Sequence, residues 1–248
     1  MFKRLRPIFS LANLIALASW QGRGLFSGLI LGILAGSGAR FFATASLGQD
    51  TRVLVDLLLA GTTIGSLVIT WYLAGNLTSQ EQDRGTGLLL VSKPLSASQY
   101  VTGRWLGLVL GGGVIFLLSS LVGLLIASWH NTLPVADILL SWLVSGGELL
   151  VLVALSNFMA CWTTPTLANL LTLGFWICGH SLDILILSTG WQWLSYLLPN
   201  LSRFSLHETY VQALSLPLSY YLLTLLYALI WTAVLTGLAS ATVRRRSW

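Results

Sequence analysis

The 248 residues are 55% hydrophobic and only 8% charged, with a formal net charge of +5 and a mean hydropathy of +0.81. Soluble domains carry roughly 25% charged residues, so this chain cannot cover a water-exposed surface of ordinary size. Its near-uncharged runs suit bilayer-spanning helices of about 20 residues, and their continuity, without period-two alternation, argues against a β-barrel.

Residues 8–20, IFSLANLIALASW, are short for a span and are expected to form an interfacial helix on the inner surface. The first span is expected over about 24–43. It carries Gly24, Gly28, Gly32 and Gly36 at four-residue spacing, a stripe that lets another backbone approach closely. Packing inside the subunit is the preferred reading of that stripe, and a subunit interface is the other. Span two is expected over 53–77 and span three over 100–129.

Between them lies the most informative stretch of the chain, TSQEQDRGTGLLLVSKPLSASQYVTGRWLG, residues 78–107. It is the one sizeable internal segment by which a water-soluble partner could grip the protein from the side that the charges mark as cytoplasmic. Ser96 followed by Gln99 has capping-box spacing and starts span three just after Pro94. Ser79 and Gln82 repeat the spacing ahead of the charged segment. Glu81 and Asp83 would suit the positive first turn of a helix there.

Span four is expected over 134–162 and span five over 166–188, after the turn Thr163-Thr164-Pro165. The connection 190–216 follows, with Ser205 and Glu208 spaced to cap a short helix over 206–214. Span six is expected over 217–242. With the N-terminus inside, Lys3, Arg4, Arg6, Arg23, Arg84, Lys93, Arg104 and Arg244 to Arg246 fall on the cytoplasmic side, and only Arg40, Arg52 and Arg203 fall outside. That bias places both termini inside. The 11 tryptophans mostly flank the apolar runs, as interfacial anchors do. No cleavable signal peptide is expected.

Few residues invite chemistry. No GxxxxGK[ST], HExxH or CxxC occurs, and Cys161 and Cys178 stand where no disulfide is expected. Cys178 and His180 are two apart and do not share a helical face, so no metal site is expected. Four polar groups fall within or at the edge of spans: Asp56, Glu148, His180 and Asp183. A carboxylate at bilayer depth is costly and faces protein or water. Glu148 could line a substrate path, bind a proton or tie two helices together, and the tie is preferred. His180 and Asp183 are three apart and could share a face.

The run Glu81, Asp83, Gly85-Thr86, Leu88 to Val91, Lys93-Pro94, Ser96, Tyr100 and Gly103-Arg104-Trp105-Leu106-Gly107 resembles the permease subunits of ABC-2-type ABC transporters, the exporter class. Ala97 and Ser98 stand where the family often has an arginine, and Arg104 where it has a lysine. Leu197-Leu198-Pro199-Asn200-Leu201-Ser202-Arg203-Phe204, with a last span and a basic tail, resembles the multi-copper-maturation or sodium-efflux-like subgroup. The resemblance implies an all-α integral membrane protein, residues 1–248 forming one permease domain of six transmembrane helices, with an N-terminal interfacial helix and a cytoplasmic coupling helix.

It further implies that residues 79–95 couple to an ATPase, through Glu81, Asp83, Arg84, Gly85, Thr86, Leu88, Leu89, Lys93 and Pro94. Two ATP-binding subunits and a second permease, a homodimer being the expected form, would complete the transporter in a bacterial plasma (inner) membrane. ATP and Mg would sit on the ATPase partner, and this chain would bind no cofactor and catalyse no reaction. No nucleic-acid partner is expected, because the basic residues lie near membrane edges, where anionic lipid is the simpler counterpart. The rival reading is an ATP-independent six-helix scaffold, assembly factor or channel. The cargo is not written in the sequence.

Overall fold

Apolar runs with few breaks for charge or proline give an all-helical chain. A computed structural model describes residues 2–20, 24–46, 50–83, 96–129, 133–193, 198–206 and 216–245. Among these residues the helices are α1 (Phe2–Ser19), α2 (Leu25–Thr44), α3 (Asp50–Asp83), α4 (Ala97–Ala127), α5 (Val135–Trp162), α6 (Pro165–His180), α7 (Leu182–Thr189) and α8 (Leu218–Arg245). A 3-10 turn covers Ser202–Phe204.

By length and composition, five of these (α2, α3, α4, α5 and α8) can cross a bilayer. A sixth crossing is counted if α6 and α7, a pair bent by 67°, form one broken span rather than a re-entrant loop. The protein is thus a multi-span, all-α membrane-type bundle. The fifth expected span, 166–188, is therefore not one straight helix. A tertiary contact accompanies the break. Leu201 N–H donates to Gly179 O at 3.1 Å, a carbonyl that a straight helix would offer to residue 183. Gly190, at φ 70°, then ends α7 in the left-handed region, its N–H bonded to Ile186 O.

α5 is the hub. Of its most apolar window 72% is buried, against 22% for α2 and 28% for α8. One side of α5 joins a core with Leu54, Leu58 and Leu67 of α3 and Leu108 and Phe116 of α4. Its other side joins Phe204, Leu206, and Ala228 and Leu235 of α8. The outward faces of α2 and α8 keep Phe26, Ile30, Leu34, Leu222, Leu226 and Ile230 exposed, as lipid-facing positions would be.

Two seams use glycine for close approach. A Cβ at Gly32 would lie 2.7 Å from Ser119 O, and one at Gly36 2.7 Å from Gly123 O, so α2 rides on the backbone of α4. Gly28 faces Ile115 O in the same way. α1, expected on the membrane surface, packs along the first half of α4, where Gly103 and Gly107 meet Leu11 and Ala12. At the opposite end of α4, Arg40 Nη1 donates to Ile126 O at 3.3 Å.

α4 starts as expected. Gln99 N–H donates to Ser96 Oγ at 3.3 Å, and Ser96 N–H to Gln99 Oε1 at 3.0 Å. α3 runs on past residue 77, the expected end of span two, to Asp83. Ser79 and Gln82 therefore start no new helix there. Residues 76–83 contain no glycine or proline, and Gln and Glu propagate a helix well. Glu81 and Asp83 fall in the last turns of α3 rather than in the first turn of a new helix. The helix dipole disfavours acids at that end.

Candidate functional site

Glu148 sits at the middle of α5 with its side chain 2% exposed. A carboxylate at that depth needs partners, and α6 supplies two from one face. Trp176 and His180 are four residues apart, so both point at α5. Trp176 Nε1 donates to Glu148 Oε1 at 2.8 Å, and His180 Nε2 is 2.7 Å from the same oxygen. The His180 and Trp176 rings meet edge to face at 5.1 Å and 76°. Glu148 thus ties α5 to α6.

It also lines a cavity. About 330 Å³ lies between α3, α5 and α6, within the usual span of small-molecule sites. Leu59, Ile64, Leu67, Ile177 and Leu206 give it apolar walls, and Thr63, Ser141 and Ser145 add hydroxyls near Glu148 and His180. The Thr63 and Ser145 hydroxyls donate back to Leu59 O and Ser141 O of their own helices, which leaves oxygen lone pairs to offer. The α3 wall is fixed against α5 by Trp142 Nε1, which donates to Thr62 Oγ1 at 3.2 Å.

The chain closes over this region from residues 198–206. Leu201 packs on Gly179 and Phe204 on Gly147, two positions without side chains in the way. Asp183 belongs to this closure. Its Oδ1 accepts from Asn200 Nδ2 and its Oδ2 from Ser202 Oγ, both at 2.8 Å. Asn200 N–H donates to Tyr227 Oη at 2.7 Å, which locks the segment onto α8. The Arg203 guanidinium lies 5.6 Å from the centroid of the Tyr227 ring. His180 and Asp183, three apart in sequence, are separated by the break at Ser181 and serve different networks.

The remaining candidates lie elsewhere. Asp56 is half-buried on α3, outside the cavity lining, and its Oδ1 has no hydrogen-bond partner among the described residues. Arg104 is buried at the start of α4, where its Nη1 donates to Tyr100 Oη at 3.4 Å. Arg84, Gly85, Thr86, Leu88, Leu89, Lys93 and Pro94 of the coupling segment lie outside the described residues, as does all but residue 206 of the helix expected over 206–214. Among the described residues no group of three His, Cys, Asp or Glu side chains is placed to hold a metal ion. Cys161 is buried, Cys178 is exposed, and neither forms a disulfide.

Sequence reasoning singled out Glu148 and His180 but not Trp176 or the hydroxyls on α3 and α5. The four-residue spacing of Trp176 and His180 was the available signal. In comparisons with known proteins, no family model matches the chain and no curated protein matches it.

Proposed function

We propose that this multi-span membrane protein is the permease subunit of an ATP-driven ABC exporter of the ABC-2 type. Its architecture is consistent with a transport-related role, and one observation carries the finer reading. α3 is 34 residues long, about 51 Å at 1.5 Å per residue. The hydrocarbon core of a bilayer is only about 30 Å thick. The helix therefore overshoots a membrane, and the excess leads into the segment whose residues resemble the family's coupling region. A push on residues 79–95 would travel into α3 and, through the capped start at Ser96, into α4. α3 also forms one wall of the cavity.

In this reading two ATP-binding subunits bind the 79–95 segments of two permeases, and ATP and Mg reside on those partners. Hydrolysis belongs to the partners, and this chain provides the path and the transmission. It lies in a bacterial plasma membrane with both termini cytoplasmic. Purification from native membranes in a mild detergent tests the reading. A nucleotide-binding subunit should accompany the chain in roughly equal amount. The chain freed of it should release no phosphate from ATP. Glu81→Lys and Gly85→Val at matched abundance should weaken that association. Recovery of an active protein with no ATPase partner would overturn the reading in favour of an ATP-independent scaffold, assembly factor or channel.

A further inference from the structure

We infer that the cavity between α3, α5 and α6 binds an apolar monovalent organic cation, with Glu148 as the counter-charge. As a statement about cargo this rests on the exporter reading, whereas as a statement about binding it stands alone.

Glu148 is matched at one oxygen alone. Both of its donors, Trp176 and His180, reach Oε1, and no described residue donates to Oε2. An ionised carboxylate in a low-dielectric interior is strongly disfavoured unless its lone pairs and its charge are matched. Both contacts are spent on one oxygen, and the lone pairs of Oε2 stay unmatched among the described residues. Among the described residues of the lining, Glu148 is the one acid, His180 is the one basic group, and there is no lysine or arginine. A ligand cation would complete the pairing.

The walls select the rest of the ligand. They are mostly hydrocarbon, so a hydrated inorganic ion would lose its water there without enough oxygen ligands to replace it. An organic cation carries its charge on a weakly hydrated, apolar body. Trp176 lines the same cavity, and an indole is the aromatic side chain that attracts a quaternary ammonium group best. The lining also includes Ile64 and Ile177, which are 50% and 53% exposed on the outside of the bundle. Such half-exposed apolar positions on membrane helices face lipid, so an amphiphile could enter sideways from the bilayer.

The purified full chain in a neutral maltoside detergent provides the test, by isothermal titration with phenyltrimethylammonium as the probe. That detergent supplies no ammonium headgroup to compete. Saturable one-to-one binding is expected, with benzenesulfonate giving none. Glu148→Gln keeps the shape and an acceptor for Trp176 and His180, and should bind about thirtyfold more weakly or worse, as when one partner of a desolvated charge pair is removed. Ala60→Leu fills the cavity from α3 while leaving Glu148, Trp176 and His180 in place, and should abolish binding. The inference is overturned if the unaltered chain shows no saturable binding into the millimolar range. It is also overturned if cation and anion bind alike, or if either folded variant binds as the unaltered chain does. The absence of an ATPase partner would leave a positive titration standing, and a negative titration would leave the exporter reading standing with a different cargo.

Discussion

The seam between α2 and α4 and the seam between α5 and α6 solve opposite problems. The first is backbone on backbone. Gly28, Gly32 and Gly36 bring α2 onto the carbonyls of Ile115, Ser119 and Gly123, with no room for a methyl group at Gly32 or Gly36. Lipid tails are as apolar as leucine, so such a seam is held by van der Waals contact. The second seam is held by hydrogen bonds to a buried carboxylate and opens into about 330 Å³ of space. A seam without space has one arrangement. A seam with space, a buried carboxylate and a broken helix beside it has room for more than one.

The largest expected effect comes from filling the first seam. Gly32→Leu would put a Cβ 2.7 Å from Ser119 O and 2.8 Å from Val122 Cβ. The backbone of α4 would have to move, and overpacking of this kind costs about 1–3 kcal/mol or more. Most of the monodisperse protein should be lost on size exclusion after mild heating. Gly38→Leu, on the same helix with nothing within 4 Å, should behave as the unaltered chain. If Gly32→Leu yields a stable folded monomer and only lowers dimer recovery, the stripe serves a subunit interface instead.

Next in size is the loss of the acceptor at the second seam. Glu148→Ala leaves the Trp176 and His180 donors without their oxygen, at about 1–3 kcal/mol for each buried donor so stranded. Glu148→Gln keeps an acceptor and should melt within a few degrees of the unaltered chain. The quantity to compare is the detergent-solubilised melting temperature of the two variants. Equal melting would mean that Glu148 holds nothing together and serves the cavity alone.

Much of the first seam could be read from sequence, and much less of the second. The stripe on α2 is periodic, so spacing alone shows a face, and long apolar runs show themselves as helices. The capping box at Ser96 is a local signal and needs no tertiary knowledge. By contrast, the break at Ser181 is accompanied by a contact from Leu201, twenty residues away, which donates to Gly179 O. No proline marks it, so 166–188 reads as one helix and His180 reads as a neighbour of Asp183. The pairing of Glu148 with α6 likewise requires knowing which face of α6 turns inward. Glu148 is conspicuous as a carboxylate in an apolar run, but its partners are visible only in three dimensions. The Pro199–Phe204 stretch could be recognised as a motif. Its physical job, filling the notches at Gly147 and Gly179, could not.

The closing segment gives a smaller effect. Asn200→Ala removes the donor to Asp183 Oδ1 and the oxygen that accepts from Ser202 N–H at 3.2 Å. The loss should be about 1–2 kcal/mol, and it should be local, since Phe204 stays packed. Limited proteolysis within residues 190–216 should accelerate severalfold while the melting temperature of the bundle changes little. A large fall in global melting would show that the closure belongs to the same cooperative unit as α5. The line drawn between the stiff seam and the adaptable one would then move.

Arg40 provides the smallest and the most discriminating test. It belongs to the first seam, yet it makes a polar tie there, from Nη1 to Ile126 O near the end of α4. A cation at a helix C-terminus is worth about 0.3–1 kcal/mol when partly exposed. Arg40→Ala should therefore lower the melting temperature slightly, because the seam beneath it is already fixed by Gly28, Gly32 and Gly36. Arg40→Lys should restore most of the loss, since a lysine stem also reaches the helix end. The same kind of deletion at Glu148 should cost several times more, because no glycine contact holds α5 to α6 at that level. If Arg40→Ala proves as damaging as Glu148→Ala, the α2–α4 seam is not held by packing alone, and the contrast between the two seams fails.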